Sequence, residues 1–356
     1  VIADRARLLV QTPQSLAARF ELDVRVNTEV LAIDRAAKAI AVRDLRSGRE
    51  YRQAYDALLL SPGAVPLRPP IPGVDDPRVL TLRNLPDMDR VLEALRGQHR
   101  ALVVGGGYIG LEMAEALRLR GLDVVLVERL PQVMAAADPE MVAPLQAELK
   151  RQGVELRLGT SVEAFESRSE GLAARLSDGS SVACGLALLA IGVRPETDLV
   201  RAAGLELGPT GGIAVDDAMR TSDPAIWAVG DAVEVRDLVT GEAALRPLAG
   251  PANRQGRIAA DSILGRASRY RATQGTAICK VFELAFAMTG LTEKQAQSQG
   301  RPYRKIYVHP ADHATYYPGA QPVTLKLLFE PGEGRILGAQ AVGAAGVDKR
   351  MDVLAV

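Results

Sequence analysis

Gly105, Gly107 and Gly110 stand in a G-x-G-x-x-G pattern, a spacing suited to holding a pyrophosphate. The first glycine permits a tight turn, and the second lets the anion approach the backbone. The third lets a helix pack against the strand before it. The free N–H groups at the start of that helix, with Tyr108 and Ile109 in its first turn, then face the phosphates. A pattern this short is weak alone, so its surroundings must carry it. Residues 101–104 are four apolar residues, which reads as a buried strand feeding the turn. A helix over Tyr108–Arg120, a turn at Gly121 and a second apolar strand, Asp123–Val127, are expected to follow. That strand ends in Glu128, eighteen residues beyond Gly110, near the spacing expected of the acid that binds the adenosine ribose. A carboxylate there accepts from ribose hydroxyls and repels a 2′-phosphate, which favours NADH. Arg129 next door could pair with that phosphate, so NADPH is the alternative.

The elements that must position this turn extend on both sides. Asp138 and Pro139 read as the N-cap and first residue of a helix running to Gln152, which Gly153 stops. Glu155–Leu158 returns as a third parallel strand. A hairpin (Val162–Glu166, Leu172–Leu176, turn at Asp178 and Gly179) precedes a strand at Leu186–Ile191. Residues 96–197 therefore read as one complete nucleotide-binding domain. Upstream, residues 1–20 are helix-like, with Pro13 at a helix start. Short alternating strands at Asp23–Val26, Glu29–Ile33, Ala39–Asp44 and Glu50–Tyr55 suit a meander. The stretch Tyr55–Pro66 gives a buried strand stopped at Pro62 and Gly63, and the proline-rich run after it reads as a linker. A helix at Pro86–Arg96 leads to the glycine turn. Downstream, Ile226–Ala232 is a buried strand ending in Gly230 and Asp231, and Gly250–Leu264 is a helix. From Thr276 the pattern turns β-rich around one helix, Thr292–Gln299, as a separate domain on an antiparallel sheet.

Composition sets outer bounds. The 356 residues suffice for two or three domains, and 47% apolar with 24% charged residues is ordinary for a globular protein. Lys+Arg and Asp+Glu both number 43, which gives no electrostatic reason for nucleic acid or an anionic membrane. The longest apolar run is broken by glycines and too short to span a bilayer, and no signal peptide is visible. These features predict a soluble cytoplasmic protein. Two cysteines build no disulfide framework, and three histidines, with His309 and His313 flanking one loop, give no metal cluster. The chain starts without methionine and stops where a helix is expected to begin, near Asp352, so both ends read as cut.

Taken together, four stretches resemble the pyridine nucleotide–disulfide oxidoreductase family of flavoproteins: residues 105–112, 60–64, 192–197 and 221–231. Residues 247–257, 275–282 and 316–320 resemble its coenzyme A-disulfide reductase, NADH oxidase and NADH peroxidase branch. The resemblance implies an α/β, glutathione-reductase-like fold with two dinucleotide-binding domains and a C-terminal α+β dimerisation domain. It divides the chain into an FAD-binding domain (1–95 and 198–272, lacking its first βαβ unit), an NAD(P)-binding domain (96–197) and an incomplete dimerisation domain (273–356). It places Gly105, Gly107, Tyr108, Ile109, Gly110, Glu112, Glu128 and Gly192 on the nicotinamide cofactor, with Glu112 near the nicotinamide. It places Ser61, Gly63, Thr221, Gly230, Asp231, Leu248, Ala249 and Gly250 on FAD. Asp231 would bond the ribityl hydroxyls, and the helix from Gly250 would point its positive end at the flavin pyrimidine. Arg25 and Asn253 match positions that touch coenzyme A; a surface arginine and a helix-start asparagine are the plain alternatives. Tyr316 and Tyr317 match a region reaching the partner subunit's active site, with aromatic packing as the alternative.

The chain departs from the family in two places. It has one G-x-G-x-x-G where the family has two, and neither Cys184 nor Cys279 lies where the redox-active cysteine belongs; both read as small buried residues. The implied parent enzyme passes hydride from nicotinamide to flavin and on to a single cysteine absent from this chain. That cysteine would reduce a coenzyme A-linked disulfide or persulfide, or support reduction of oxygen or peroxide, in a homodimer. The chain itself is then expected to bind NADH but to hold FAD poorly and turn over little. Two other classes fit the same architecture: a cysteine-independent reductase serving a ferredoxin-like protein, and a non-catalytic NAD-binding or dimerisation module.

Overall fold

A computed structural model describes residues 5–169 and 171–356, which fold as two compact units. The first comprises the residues up to 63 together with 195–235 and 243–270; the second comprises 64–194, 236–242 and 271–356.

In the first unit, Thr28–Asp34, Ala39–Asp44 and Glu50–Ala54 form an antiparallel meander, as alternation predicts. The strand expected at Asp23–Val26 does not form. Arg25 folds back onto Asp23 at 2.6 Å, and Asn27 turns left-handed at φ 51°, which ends any extended run before Thr28. Helix Pro13–Phe20 starts at proline with Thr12 as its cap, while residues 1–4 of the expected helical stretch lie outside the described residues. Leu58–Leu60 and Ile226–Ala228 pair in parallel. With helix Ala249–Ile263 they close a core of Leu60, Ile213, Ile226, Trp227, Ile258 and Ala259.

The second unit is built on a five-stranded parallel sheet in the order Val79–Thr81, Leu186–Leu189, Arg100–Val104, Asp123–Glu128, Val154–Leu158. Its central strands are apolar and buried at 101–104, 124–127 and 186–189, with charged residues only at the strand ends, because helices or other chain cover both faces. The expected boundary at residue 95 fails here: Val79–Thr81 pairs with Leu186–Leu189, so the chain changes unit at Gly63. The C-terminal segment forms the expected antiparallel sheet, ordered Ala277–Val281, Leu284–Gly290, Ile336–Gly343, Val323–Phe329, Arg304–Val308. It is not a separate compact body, however. Cys279, Val281, Phe282, Phe286 and Val342 share one core with Leu111, Leu126, Met141 and Leu145 of the nucleotide fold. The final helix spans Val347–Leu354, beginning before Asp352.

A buried ionic cluster joins these two parts of the second unit. Lys326 is fully buried, and its ammonium lies 2.8 Å from Asp138 and 2.6 Å from Glu293 and also contacts Glu140. Asp138 precedes helix Pro139–Arg151 as expected, with proline at the helix start, yet its side chain does not cap that helix. It accepts instead from the Glu293 and Lys294 N–H groups, capping the helix Glu293–Ser298. The three carboxylates converge closely enough to hold a cation, and the lysine ammonium supplies one. Burial pushes Glu293 up, but hydrogen bonds from Lys305, Lys326 and Tyr303 outweigh it and bring its pKa to about 2.

Because the folded pKa of Glu293 lies below the ordinary 4.5, its stabilising contribution is complete above 4.5 and is lost as pH falls toward about 2. Urea midpoints measured from neutrality downward should show the wild type converging on Glu293→Gln across that window. Lys326→Met strands buried Asp138 and should cost about 3–5 kcal/mol of unfolding free energy at neutral pH.

Candidate functional site

Each glycine of the turn at 105–110 has a distinct physical reason. Gly105 sits at φ 109°, and a β-carbon there would lie 2.3 Å from the Ala190 carbonyl oxygen. A β-carbon on Gly110 would lie 1.9 Å from the Gly105 carbonyl oxygen, so helix Tyr108–Leu119 reaches its strand only without a side chain there. Gly107 meets nothing within 4 Å, and no side chain caps the helix it precedes. The turn therefore presents uncapped helix N–H groups to open space, an arrangement that accepts an anion. Glu128 ends its strand beside this turn, accepting from the Gly106 N–H at 2.7 Å and the Leu130 N–H at 2.8 Å. Glu112 lies one turn into the helix, where partial burial and then neighbouring Glu115 raise its pKa. Tyr108 is more buried, and burial raises its phenol pKa well above the ordinary value. Gly192 is exposed at φ 112°, with its carbonyl accepting from the Leu67 N–H.

Sequence reasoning passed over Gly106, which lies inside the pattern but outside its consensus. It packs tightly on Val133, where a β-carbon would come within 3.0 Å, and its carbonyl accepts from the Met134 N–H at 2.7 Å. The loop 129–137 is thus the outer wall of the glycine turn. Three consecutive glycines where the pattern needs two were the available signal.

A second cluster lies in the first unit. Strands Leu58–Leu60 and Ile226–Ala228 end together, the Val229 N–H donating to the Leu60 carbonyl at 2.9 Å. Two turns leave their carboxyl ends, the place where open α/β sheets bind ligands. One holds exposed Ser61 and half-buried Gly63, the latter at φ 74°. The other holds Gly230, whose N–H donates to buried Gln255 at 2.7 Å, and half-buried Asp231. No donor among the described residues reaches the Asp231 carboxylate, and burial raises its pKa. Helix Ala249–Ile263 begins after Leu248 with no side-chain cap, leaving Ala249 and Gly250 exposed. Thr221 departs from expectation: its buried hydroxyl donates to the Ile226 carbonyl at 2.9 Å and accepts from the Asp223 N–H, so it serves the fold.

The family model for pyridine nucleotide-disulphide oxidoreductases matches residues 3–255, and that for the family's dimerisation domain matches 276–356. The chain belongs to this family. A reduced CoADR-RHD from Bacillus anthracis superposes with a TM-score of 0.97 at 46% identity, covering 99% of this chain. A NAD-dependent persulfide reductase from A. fulgidus superposes at 0.94 with 36% identity over 97% of this chain. The chain spans 64% of each of those two. An NADH oxidase from Methanocaldococcus jannaschii is 34% identical over 98% of this chain and 78% of its own length.

Other residues singled out for this oxidoreductase fold are placed as follows. Arg25 is exposed and bonded to Asp23, Tyr51 and Gln53. Asn253 is exposed on the first turns of its helix. Tyr316 and Tyr317 are 86% and 62% exposed, so neither packs into this chain's own core. His313 lies 2.9 Å from Asp312 and edge-on to Tyr317, and His309 pairs with Thr324. Cys184 and Cys279 are free and buried, as expected. Burial pushes the Cys184 thiol up to about 11 and, with Glu112 nearby, Cys279 to about 12. Neither is a thiolate near neutrality, so neither is poised as a redox nucleophile. No helix of the described residues is long and apolar enough to cross a membrane.

The glycine geometry separates two substitutions that look alike on paper. Gly107→Ala, with φ −80° and open surroundings, should melt with the wild type. Gly110→Ala should lose about 1–3 kcal/mol by urea denaturation, because its methyl meets backbone.

Proposed function

We propose that the chain carries the cofactor-handling machinery of an FAD-dependent, NADH-preferring oxidoreductase acting on small coenzyme A-linked disulfides or persulfides, with oxygen or peroxide as the other acceptor class. The observation that carries this reading is the glycine turn, which opens uncapped N–H groups to solvent at Gly107 beside a carboxylate held by two backbone donors. Nicotinamide and flavin, when bound, supply hydride transfer. The residues of this chain bind and orient them. The helix from Tyr108 offers its positive end to the dinucleotide pyrophosphate, and Glu128 accepts from ribose hydroxyls. In the first unit, the unpartnered Asp231 carboxylate suits the ribityl hydroxyls, with Ser61, Gly63 and Gly230 leaving room beside it. The uncapped start of helix Ala249–Ile263, at Leu248, Ala249 and Gly250, favours negative charge on a reduced ring.

Reduction of the acceptor requires a thiolate that Cys184 and Cys279 do not supply. The coenzyme A-linked acceptor is preferred because the B. anthracis CoADR-RHD is 46% identical to this chain. Arg25 and Asn253, both exposed, are the residues assigned to that substrate. The match of residues 276–356 to the dimerisation domain supports a homodimer, with exposed Tyr316 and Tyr317 reaching the partner's site.

Titration followed by nicotinamide fluorescence tests the reading: the chain should bind NADH more tightly than NADPH. Glu128→Ala should lose about tenfold in NADH affinity and narrow that preference. Saturable binding of neither nucleotide sinks the proposal. Because the chain has a single G-x-G-x-x-G, purified protein is expected to carry well under one FAD per chain, read from its visible absorbance; stoichiometric flavin would contradict that expectation.

A further inference from the structure

We propose that Lys294, on the C-terminal segment of the second unit, is a positioning residue for the dinucleotide site, acting through the loop 129–137. The inference rests on the nucleotide reading of the glycine turn. The loop leaves Glu128, and its Val133 and Met134 form the wall against which Gly106 packs. Met134 takes a left-handed conformation at φ 48°, which a methionine adopts only where its surroundings hold it. Local contacts account for part of that hold: the Val133 N–H donates to Gln146 and the Gly159 N–H to the Leu130 carbonyl.

The rest comes from the far end of the sequence. The Lys294 ammonium donates to the Gln132 side-chain oxygen at 2.9 Å and lies 3.4 Å from the Ala135 carbonyl. Gln132 is buried and passes the restraint on through its amide to the Ala137 carbonyl at 2.9 Å. At the loop's end, Asp138 is fixed by the Glu293 and Lys294 N–H groups, and its own N–H donates to buried Gln340 at 2.9 Å. One short stretch of the C-terminal segment therefore grips both the middle and the end of the loop, and the loop grips the peptide of Gly106. Gly106 also orients Glu128, because its N–H, in the preceding peptide group, is one of that carboxylate's two donors. A small displacement of this wall moves the pyrophosphate donors and the ribose acceptor together.

Two variants of the full chain separate positioning from plain stability. Lys294→Met removes the grip on Gln132 and Ala135. Lys305→Met removes a cation from Glu293, in the same ionic cluster, without touching the loop. Lys294→Met should raise the NADH dissociation constant about five- to tenfold, Lys294→Arg should restore it, and Lys305→Met should leave it within about twofold whatever either does to the melting temperature. Amide hydrogen exchange at Gly106, Val133 and Met134 should quicken in Lys294→Met alone. Wild-type NADH affinity in Lys294→Met, or an equal loss in Lys305→Met, overturns the proposal. If the wild type binds no NADH, the nucleotide reading falls and exchange decides the rest: faster exchange confined to Lys294→Met supports the grip, and unchanged exchange refutes it.

Discussion

Gly110 lies so close to the Gly105 carbonyl oxygen that no side chain fits between them, and the second unit is arranged around that approach. It lets a fully buried strand pass directly into a helix, which puts the helix's uncapped N–H groups at the sheet's carboxyl edge. Once the helix is docked this way, Leu111, Ala114 and Leu117 are buried in the apolar core. Burial of this kind contributes roughly 1.5–3 kcal/mol for each large side chain, so the turn is held by the core it makes possible. The same geometry leaves open space beside half-buried Gly107. A feature needed for packing and a feature needed for binding thus arise from one constraint.

The other organising element is electrostatic. A fully buried lysine is costly unless its charge is answered, and Lys326 is answered by carboxylates from two distant stretches of chain. Such clusters add little net stability over an apolar replacement, but they are intolerant of misplacement. The apolar seam between the nucleotide fold and the antiparallel sheet can accept volume-conserving swaps at small cost. Four donors on Asp138 cannot. Within this unit the seam therefore supplies affinity and the ionic cluster supplies register.

Much of this was legible in the sequence. Strand, turn, helix and Glu128 follow from glycine spacing and apolar runs, because each depends on residues within about one βαβ unit. The helix starts at Pro13 and Pro139 are equally local, as is the one expected at Gly250, which begins one residue earlier. What failed was long-range. Asp138 reads as the cap of its own helix, since nothing nearby announces that the N–H groups it meets lie 155 residues away. Val79–Thr81 is three residues long and follows a proline-rich run, so its place in the parallel sheet depends on a partner more than a hundred residues on. Thr221 sits in a stretch that resembles a cofactor site, and only its hydrogen bonds reveal that the hydroxyl is spent within its own turn.

The shared ionic cluster also bears on how such a chain can be inherited. Segments that fold alone can be exchanged between relatives by recombination with little penalty. Here an exchange that replaced everything after residue 271 with a segment lacking a lysine at the place of Lys326 would break the cluster. Asp138 would then keep its buried charge in the retained half and have no cation to meet it. The two stretches therefore descend most readily as a pair, and drift at either end must be matched at the other.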